Sequence, residues 1–166
     1  MIIRSEREPD RERIAEVTRA AFENHPISKN TEKFIVRALR EAGALTLSLV
    51  AEVDGDVVGH VAFSPVTVSD GSRDWYDLGP ISVLPAYQRR GIGKSLVLDG
   101  LSLLRSSGAN GCALVGDPGY YGRFGFRNYP EFIHKGIPQE VFLALPFHGK
   151  VPRGTVSFHE GFLAEG

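Results

Sequence analysis

The alternation of apolar and polar residues divides the chain into segments of helical and of strand-like periodicity. Apolar residues recur three and four positions apart in residues 14–22 and 34–42, with charged residues between them, which predicts two amphipathic helices. Residues 45–83 are instead rich in valine and leucine, and the pairs Asp54-Gly55 and Asp70-Gly71 interrupt them. Because Asp-Gly is a preferred turn sequence, this region predicts three long strands, at residues 45–53, 57–68 and 75–83.

The second half of the chain begins with a helix that has one broad apolar face. This helix is predicted at residues 92–105, and it is followed by a short, continuously apolar strand at 112–115. A strand, a helix and a second strand at this spacing predict a right-handed crossover with parallel pairing. The positions assigned to the apolar face of the helix are Ile92, Leu96, Val97, Leu101, Leu103 and Leu104.

Shorter elements complete the predicted fold. Pro80 lies inside the third long strand, where a backbone N–H is normally needed, so a local break or bulge is expected at Gly79-Pro80. Together the segments predict an α/β protein with a mixed, partly antiparallel sheet. The remaining predicted elements are strands at residues 2–4, 141–147 and 155–158 and a helical turn at 120–124.

Length, charge and cysteine content restrict the possible functions. A chain of 166 residues fits one domain, residues 1–166, and its net charge of -1 provides no general attraction to nucleic acid or to acidic membranes. The one cysteine, Cys112, lies in an apolar strand and has no partner for a disulfide, as is usual in a reducing cytoplasm. Residues 5–13 are densely charged, unlike the apolar region of a signal peptide. No apolar run approaches the length of a membrane span.

The segment between the third strand and the long helix carries the main candidate chemistry. It reads Gln88, Arg89, Arg90, Gly91, Ile92, Gly93, Lys94 and Ser95. Two glycines and three cations at the start of a helix are typical of a phosphate-binding turn, because the first N–H groups of a helix are unpaired. The spacing excludes a P-loop, since Gln88 stands where that motif needs glycine, and a dinucleotide fingerprint, which needs glycine at Leu96. A tight turn with solvated arginines is the alternative.

Two longer motifs follow one another along the chain. The first is Val83-Leu84-Pro85-Ala86-Tyr87 followed by Gln88-x-x-Gly91-x-Gly93. The second is Tyr120-Tyr121-Gly122-Arg123-Phe124-Gly125-Phe126. In this order they resemble the acetyl-CoA-binding motif and the tyrosine, three residues, Gly-Phe signature of the GNAT family of acyl-CoA N-acetyltransferases. The resemblance extends from about residue 76 to 126. The sequence Leu78-Gly79-Pro80 and the long C-terminal tail most resemble those of a small, uncharacterised bacterial branch of this family.

The resemblance implies the acyl-CoA N-acyltransferase fold, a central and mostly antiparallel sheet with a splayed parallel pair and flanking helices. It also implies acetyl-CoA as co-substrate, with its pantetheine paired to the backbone of Ile81, Ser82 and Val83 as an added strand. Its pyrophosphate would lie on the segment 88–95. Tyr121 occupies the position of the general acid that protonates the departing thiolate, and Tyr120 is assigned to packing.

The acceptor and the base remain open at this stage. The acceptor is a small-molecule or peptide amine, expected near residues 23–31, 75–76 and 148–154. Asp77, Glu23, His25 and a water chain are alternative bases. The five histidines have no metal-ligand spacing, so no metal is expected. A non-catalytic acyl-CoA-binding module is the alternative function, and the resemblance allows a homodimer although the sequence shows no signal for one.

Overall fold

The two amphipathic segments of the N-terminal third form helices beside an antiparallel ladder in the computed structural model, which describes residues 1–166. The chain folds into two compact units. The first unit comprises Met1–Ser64, Gly79–Gly100 and Glu160–Gly166, and the second comprises Pro65–Leu78 and Leu101–His159. The first elements along the chain are β1 (Ile2–Ser5), α1 (Arg11–Phe22), α2 (Glu32–Glu41), β2 (Leu47–Val53) and β3 (Asp56–Pro65).

Strands β1, β2 and β3 pair in antiparallel order within the first unit. The turn between β2 and β3 has positive φ at both central residues, 50° at Asp54 and 84° at Gly55, as the predicted Asp-Gly hairpin requires. The apolar faces of α1 and α2 form a cluster with this ladder, in which no member is more than 6% exposed. The cluster consists of Ile14, Val17, Val36, Val50 and Val57.

Two long elements pass from one unit to the other, the strand β5 (Trp75–Val83) and the helix α3 (Ile92–Ser106). Along β5 the buried positions are first Trp75 and Asp77 and then Leu78, Pro80 and Ser82, so the alternation shifts by one residue between Asp77 and Leu78. Gly79 follows directly, and its φ of 146° is open to glycine alone. The strand is therefore irregular at the predicted position, but it continues through Gly79-Pro80 to Val83.

Helix α3 packs closely on β3 because two glycines lie where they meet. A Cβ atom at Gly100 would lie 2.3 Å from the ring of Phe63, and one at Gly59 would lie 3.1 Å from Ile92. Five of the six predicted apolar positions on α3 are buried, but Leu103 is 45% exposed, so its assignment to the buried face was wrong. Helical geometry places position 103 between the core stripe and the solvent face.

The second unit contains a parallel pair and a small separate sheet. Strand β5 pairs in parallel with β6 (Gly111–Val115) from Trp75↔Gly111 to Asp77↔Ala113, which confirms the predicted parallel pairing. Strand β6 also pairs antiparallel with a later strand, β8 (Phe142–Pro146). The other elements of this unit are β4 (Thr67–Val68), α4 (Pro118–Tyr121), β7 (Phe132–Ile133), β8 (Phe142–Pro146) and β9 (Gly154–Ser157).

Two strand predictions differ from the structure. The predicted strand 57–68 ends at Pro65, and β4 joins β9 and β7 in a separate three-stranded sheet. Proline has no backbone N–H to continue a ladder, which accounts for the end of β3. The two-residue strand β7 was not predicted, since so short a pairing leaves no periodic pattern.

Aromatic packing forms the core of the second unit. The rings of Trp75 and Phe132 lie 5.4 Å apart, and those of Phe132 and Phe142 lie 5.1 Å apart, in edge-to-face geometry. Gly111 allows the indole to lie against β6, because a Cβ there would approach the Trp75 ring to 2.4 Å. None of the helices combines the length and the hydropathy that a membrane span requires.

Candidate functional site

The predicted phosphate-binding turn lies between β5 and α3 and is held by bonds to the backbone. Leu84 N–H donates to the carbonyl of Val58 at 2.9 Å, and Tyr87 N–H donates to that of Leu84 at 2.8 Å. The side-chain amide of Gln88 donates to Val83 O at 3.0 Å. The chain therefore leaves β5 in one defined direction before it reaches the glycines.

Positive φ angles then turn the chain into the helix. Arg89 has a φ of 65° and Gly91 a φ of 83°. Ser95 N–H donates to Gly91 O at 3.0 Å and is the first N–H of α3 with a backbone acceptor four residues earlier. The N–H groups of Ile92, Gly93 and Lys94 have none, and the 15-residue helix adds partial positive charge at this end. The turn has the backbone chemistry of an anion site.

The cations of the turn are exposed and have no acidic partner. The guanidinium of Arg90 lies over the ring of Tyr87 at 5.2 Å, and the side chains of Arg89 and Lys94 form no ion pair. An unpaired guanidinium or ammonium remains available to a ligand phosphate. The local positive charge that the sequence predicted is therefore present.

Two of the predicted binding residues direct their side chains to the protein rather than to a ligand. Ser82 is buried, with its Oγ unpartnered, and Gln88 binds the carbonyl of Val83. Ile81 and Val83 are half-buried. Their contribution to ligand binding would come from backbone groups, as expected for a strand that pairs with an extended ligand.

Tyr121 is the last residue of α4 in the second unit, and its ring packs directly against Gly116. Asp117 caps this short helix by accepting from Gly119 N–H at 3.0 Å, and Tyr121 N–H donates to Asp117 O at 2.9 Å. A Cβ atom at Gly116 would lie 2.6 Å from the Tyr121 ring, so glycine is required for this ring position. Tyr120 packs against Tyr121 at 4.9 Å in edge-to-face geometry.

Burial controls the acidity of Tyr121 and of two neighbouring groups. Desolvation, assisted by Tyr120 and Asp77, raises the pKa of Tyr121 to about 12. Desolvation alone raises the pKa of Asp77 well above its usual value, and one of its carboxyl oxygens has no partner. Burial also raises the pKa of the Cys112 thiol, which therefore lacks the thiolate character of a nucleophile.

The structure places the three candidate bases in different surroundings. Asp77 already favours its protonated form, because burial without a partner penalises its charge. Nδ1 of His25 accepts from Ile27 N–H at 3.2 Å, so its lone pair is engaged. Glu23 is exposed and pairs with Arg19 at 3.5 Å. Glu23, His25 and a water chain therefore stay predictions for the base.

A buried polar chain that sequence analysis missed lies in the first unit. Arg40 donates to both carboxylate oxygens of Glu6, at 2.9 Å each, and Ser48 Oγ contacts Glu6 and, at 2.7 Å, Nε2 of His60. Burial raises the pKa of Glu6, but the bonds from Arg40 and Ser48 outweigh it and lower that pKa overall. The signal was a histidine inside the apolar run 57–63.

The structure separates the predicted acceptor segment 148–154 from Tyr121. His148 and Lys150 line a cavity with Trp75, which pairs with Gly111 at the first residue of β6. Tyr121 instead packs on Gly116, beyond the last residue of this strand. Five residues of strand correspond to about 16 Å. A direct role of this loop beside Tyr121 is therefore not supported.

Sequence comparison finds an acetyltransferase family. The profile of the "Acetyltransferase (GNAT) family" matches residues 11–126. The protein named Uncharacterized N-acetyltransferase YhbS, from Escherichia coli K12, is 40% identical over 127 residues, which cover 76% of this chain and 73% of YhbS. Another E. coli K12 protein, Uncharacterized N-acetyltransferase YjhQ, is 36% identical over 101 residues, 59% of this chain and 54% of YjhQ.

Two solved structures share both the fold and substantial sequence identity. A GNAT family acetyltransferase from Brucella melitensis, in complex with acetyl-CoA, superposes with a TM-score of 0.87 at 50% identity and covers 97% of both chains. The E. coli YhbS structure in complex with CoA has a TM-score of 0.88 at 34% identity, covering 99% of this chain and 93% of YhbS. The predicted fold class is confirmed, with its mostly antiparallel sheet, parallel pair and flanking helices.

Proposed function

Since this chain belongs to the GNAT acetyltransferase family, we propose that the turn between β5 and α3 grips acetyl-CoA and that Tyr121 assists transfer of its acetyl group to an amine. N-acetyltransferase activity with acetyl-CoA as co-substrate follows from the family. The observation that carries the assignment to these residues is the set of unpaired N–H groups at the start of α3, behind the positive φ angles of Arg89 and Gly91.

Backbone and side-chain groups bind different parts of acetyl-CoA. The N–H groups of Ile92, Gly93 and Lys94 bind the pyrophosphate, for which convergent donors suit better than side-chain charge alone. Arg89, Arg90 and Lys94 add attraction for the phosphates of the adenosine end. The other proposed contacts come from the backbone of Ile81, Ser82, Val83, Gln88, Gly91 and Ser95, of which the first three pair with the pantetheine amides.

The transfer is direct. The neutral amine attacks the thioester carbonyl carbon, a C–N bond forms, and the carbonyl oxygen gains negative charge in the tetrahedral intermediate. A backbone N–H from the segment 81–83 stabilises that oxyanion. When the C–S bond breaks, the electron pair leaves on sulfur and a proton is added there, while the amine loses its proton to water.

Tyr121 supplies the proton, or a hydrogen bond, to the leaving sulfur. Because burial raises its pKa to about 12, the phenol is protonated throughout the physiological range. The same shift makes it a weak acid, so its largest contribution is a hydrogen bond that strengthens as charge develops on sulfur. Its own titration lies outside the pH range of ordinary assays.

The wider setting is proposed on sequence grounds. We treat residues 1–166 as one acetyltransferase domain, acting on a small-molecule or peptide amine, without a nucleic-acid or membrane partner and with a homodimer as a possible assembly. The buried, unpaired Cys112 is compatible with a reducing compartment such as the cytoplasm.

Replacement of the two adjacent tyrosines tests the catalytic assignment. Tyr121→Phe should lower kcat by about 10²-fold, in the range of general acid catalysis, with the Kd of acetyl-CoA unchanged. Tyr120→Phe is the matched control, since it removes the neighbouring hydroxyl from a ring that serves packing, and should keep kcat within about twofold. The measurement is steady-state CoA release with a panel of small amines and peptides.

Each outcome is informative. Equal effects of the two substitutions would remove Tyr121 from the acid role. Tight acetyl-CoA binding without turnover for any amine would favour the alternative, a non-catalytic acyl-CoA-binding module.

A further inference from the structure

A cavity of about 350 Å³ lies in the second unit at the amino-terminal end of β6. Its walls include Trp75, Asn110 and Val151, together with the cationic or imidazole side chains of Arg73, His148 and Lys150. It is at the opposite end of β6 from Gly116 and Tyr121, about 16 Å away by the rise of a strand. The acetyl-transfer machinery does not use it.

The charge of the cavity is one-sided. None of its lining residues is acidic, and the side chains of Arg73 and Lys150 form no ion pair. Asp70, near its rim, has one carboxylate oxygen accepting from Ser72 N–H at 2.8 Å and the other from Arg153 N–H at 2.9 Å. The cations that line the cavity are therefore free of ion pairs, and the nearby carboxylates of Asp70 and Asp74 lie outside its lining.

Asn110 holds the two loops of the rim in place. Its backbone N–H donates to Asp74 O at 2.8 Å, its side-chain amide donates to Arg73 O at 2.8 Å, and its carbonyl accepts from Phe147 N–H at 2.9 Å. The loop that carries Arg73 and the loop that carries His148 and Lys150 are thereby both fixed to the start of β6. The cavity is preformed, which lowers the entropic cost of binding.

The floor is apolar. Trp75 is 3% exposed, and its indole packs against Gly111, where a Cβ would come within 2.4 Å. Val151 covers the floor from the opposite loop. Ligand pockets start at about 300 Å³, so the volume fits one ring or a short chain and is too small for a whole coenzyme.

We propose that this cavity binds a small organic anion. A carboxylate or phosphate lies between Arg73 and Lys150, and an apolar body lies over Trp75 and Val151. Binding there is independent of acetyl-CoA and of the proposed catalytic residues.

The chain offers an internal reporter, because Trp75 is its single tryptophan. Fluorescence of Trp75 is titrated with benzoate and with phenyl phosphate, and the neutral analogue benzyl alcohol is the comparison. We expect saturable changes for at least one anion, with affinity at least 10-fold above that for benzyl alcohol. The stronger of the two anions identifies the headgroup.

Matched double substitutions separate specific binding from general charge. Arg73→Gln with Lys150→Gln should weaken binding at least 10-fold, whereas Lys29→Gln with Lys135→Gln removes the same two charges from exposed positions elsewhere and should leave it unchanged. Saturating acetyl-CoA should leave the Kd of the anion unchanged.

Three results would overturn the proposal. The first is the absence of a saturable response to either anion below about 10 mM, the range in which weak specific binding is still measurable. The others are an affinity for benzyl alcohol equal to that for the anions, and an equal loss of anion affinity in the two double variants. Because the titration involves no turnover, none of these results bears on acetyl transfer.

Discussion

His60 on β3 is fully buried, and its hydrogen bonds determine where its proton lies. Ser48 Oγ has one proton, which it donates to the ionised Glu6, so the ring must donate from Nε2 to Ser48 Oγ. Nδ1 then carries the lone pair and has no partner. Charging this ring would bury an unpaired N–H, and burial accordingly lowers the pKa of His60 to about 4.

This arrangement predicts a stability that depends on pH. The unfolded chain protonates His60 below about pH 6.5, whereas the folded protein keeps it neutral to about pH 4, so unfolding takes up a proton in this window. Stability is therefore complete above pH 6.5 and falls as the pH drops toward 4. Between pH 7.5 and 5.0 the loss from His60 is about 2 kcal/mol.

The measurement is urea unfolding at both pH values, for the wild type and for His60→Gln, whose amide can still donate to Ser48. The variant should lose about 2 kcal/mol less than the wild type over this interval. His25→Gln, which changes an exposed histidine, should keep the full loss. Equal losses in wild type and His60→Gln would contradict the buried-neutral assignment.

At individual positions, motif spacing predicted the backbone of the site better than the side chains. The glycines and cations of the segment 88–95 lie at the start of α3, as expected. That Gln88 turns back to Val83 and that Ser82 faces the interior could not be predicted, because both depend on the local path of the chain. The same holds for Asp77, whose protonation state depends on burial that a single sequence does not show.

Helix α3 is the element whose position matters most for the donor, because its first turn supplies the unpaired N–H groups. Gly100 sets that position. Alanine is favoured over glycine inside a helix by about 1 kcal/mol, so Gly100→Ala would stabilise an unhindered helix. Here the new Cβ would meet Phe63, which is fully buried and cannot move aside, at 2.3 Å.

We expect Gly100→Ala to destabilise the protein by about 1–3 kcal/mol, the usual cost of overpacking. It should also raise the Kd of acetyl-CoA several-fold, since displacement of α3 moves the donor turn. Ser102→Ala, at an exposed position of the same helix, should leave both quantities within error. Urea unfolding measures the change in stability, and calorimetric titration measures the Kd of acetyl-CoA. A stabilised Gly100→Ala protein would show that α3 does not pack against Phe63 in this way.

The long elements were predictable and the shortest were not. Periodicity located α1, α2, α3 and β5 because each repeats its pattern several times, and the Asp-Gly signal located the hairpin between β2 and β3. Strands β4 and β7 have two residues each and join β9 through contacts distant in sequence. Their pairing depends on tertiary structure that local pattern does not encode.

At the scale of the whole molecule, two of the four crossings between the units fall in the middle of a regular element. They lie between Leu78 and Gly79 inside β5, and between Gly100 and Leu101 inside α3, whereas the other two fall at the end of β3 and after His159. A strand or helix that frays at its middle loses hydrogen bonds on both sides of the break. We therefore expect the two units to unfold together, as the single-domain prediction requires.

Scanning calorimetry with and without acetyl-CoA tests this expectation. We predict one transition with equal calorimetric and van't Hoff enthalpies. Acetyl-CoA at 100 times its Kd should raise the midpoint of this transition by about 5–10 °C, since such binding adds about 2.7 kcal/mol.

Gly91→Ala should reduce this shift, because the φ of 83° at this position strains alanine although nothing crowds the site. Gly71→Ala has the same φ and equally open surroundings outside the donor turn, so it should cost similar stability and keep the shift. Two separate transitions, of which acetyl-CoA moved only one, would show that the units are independent domains.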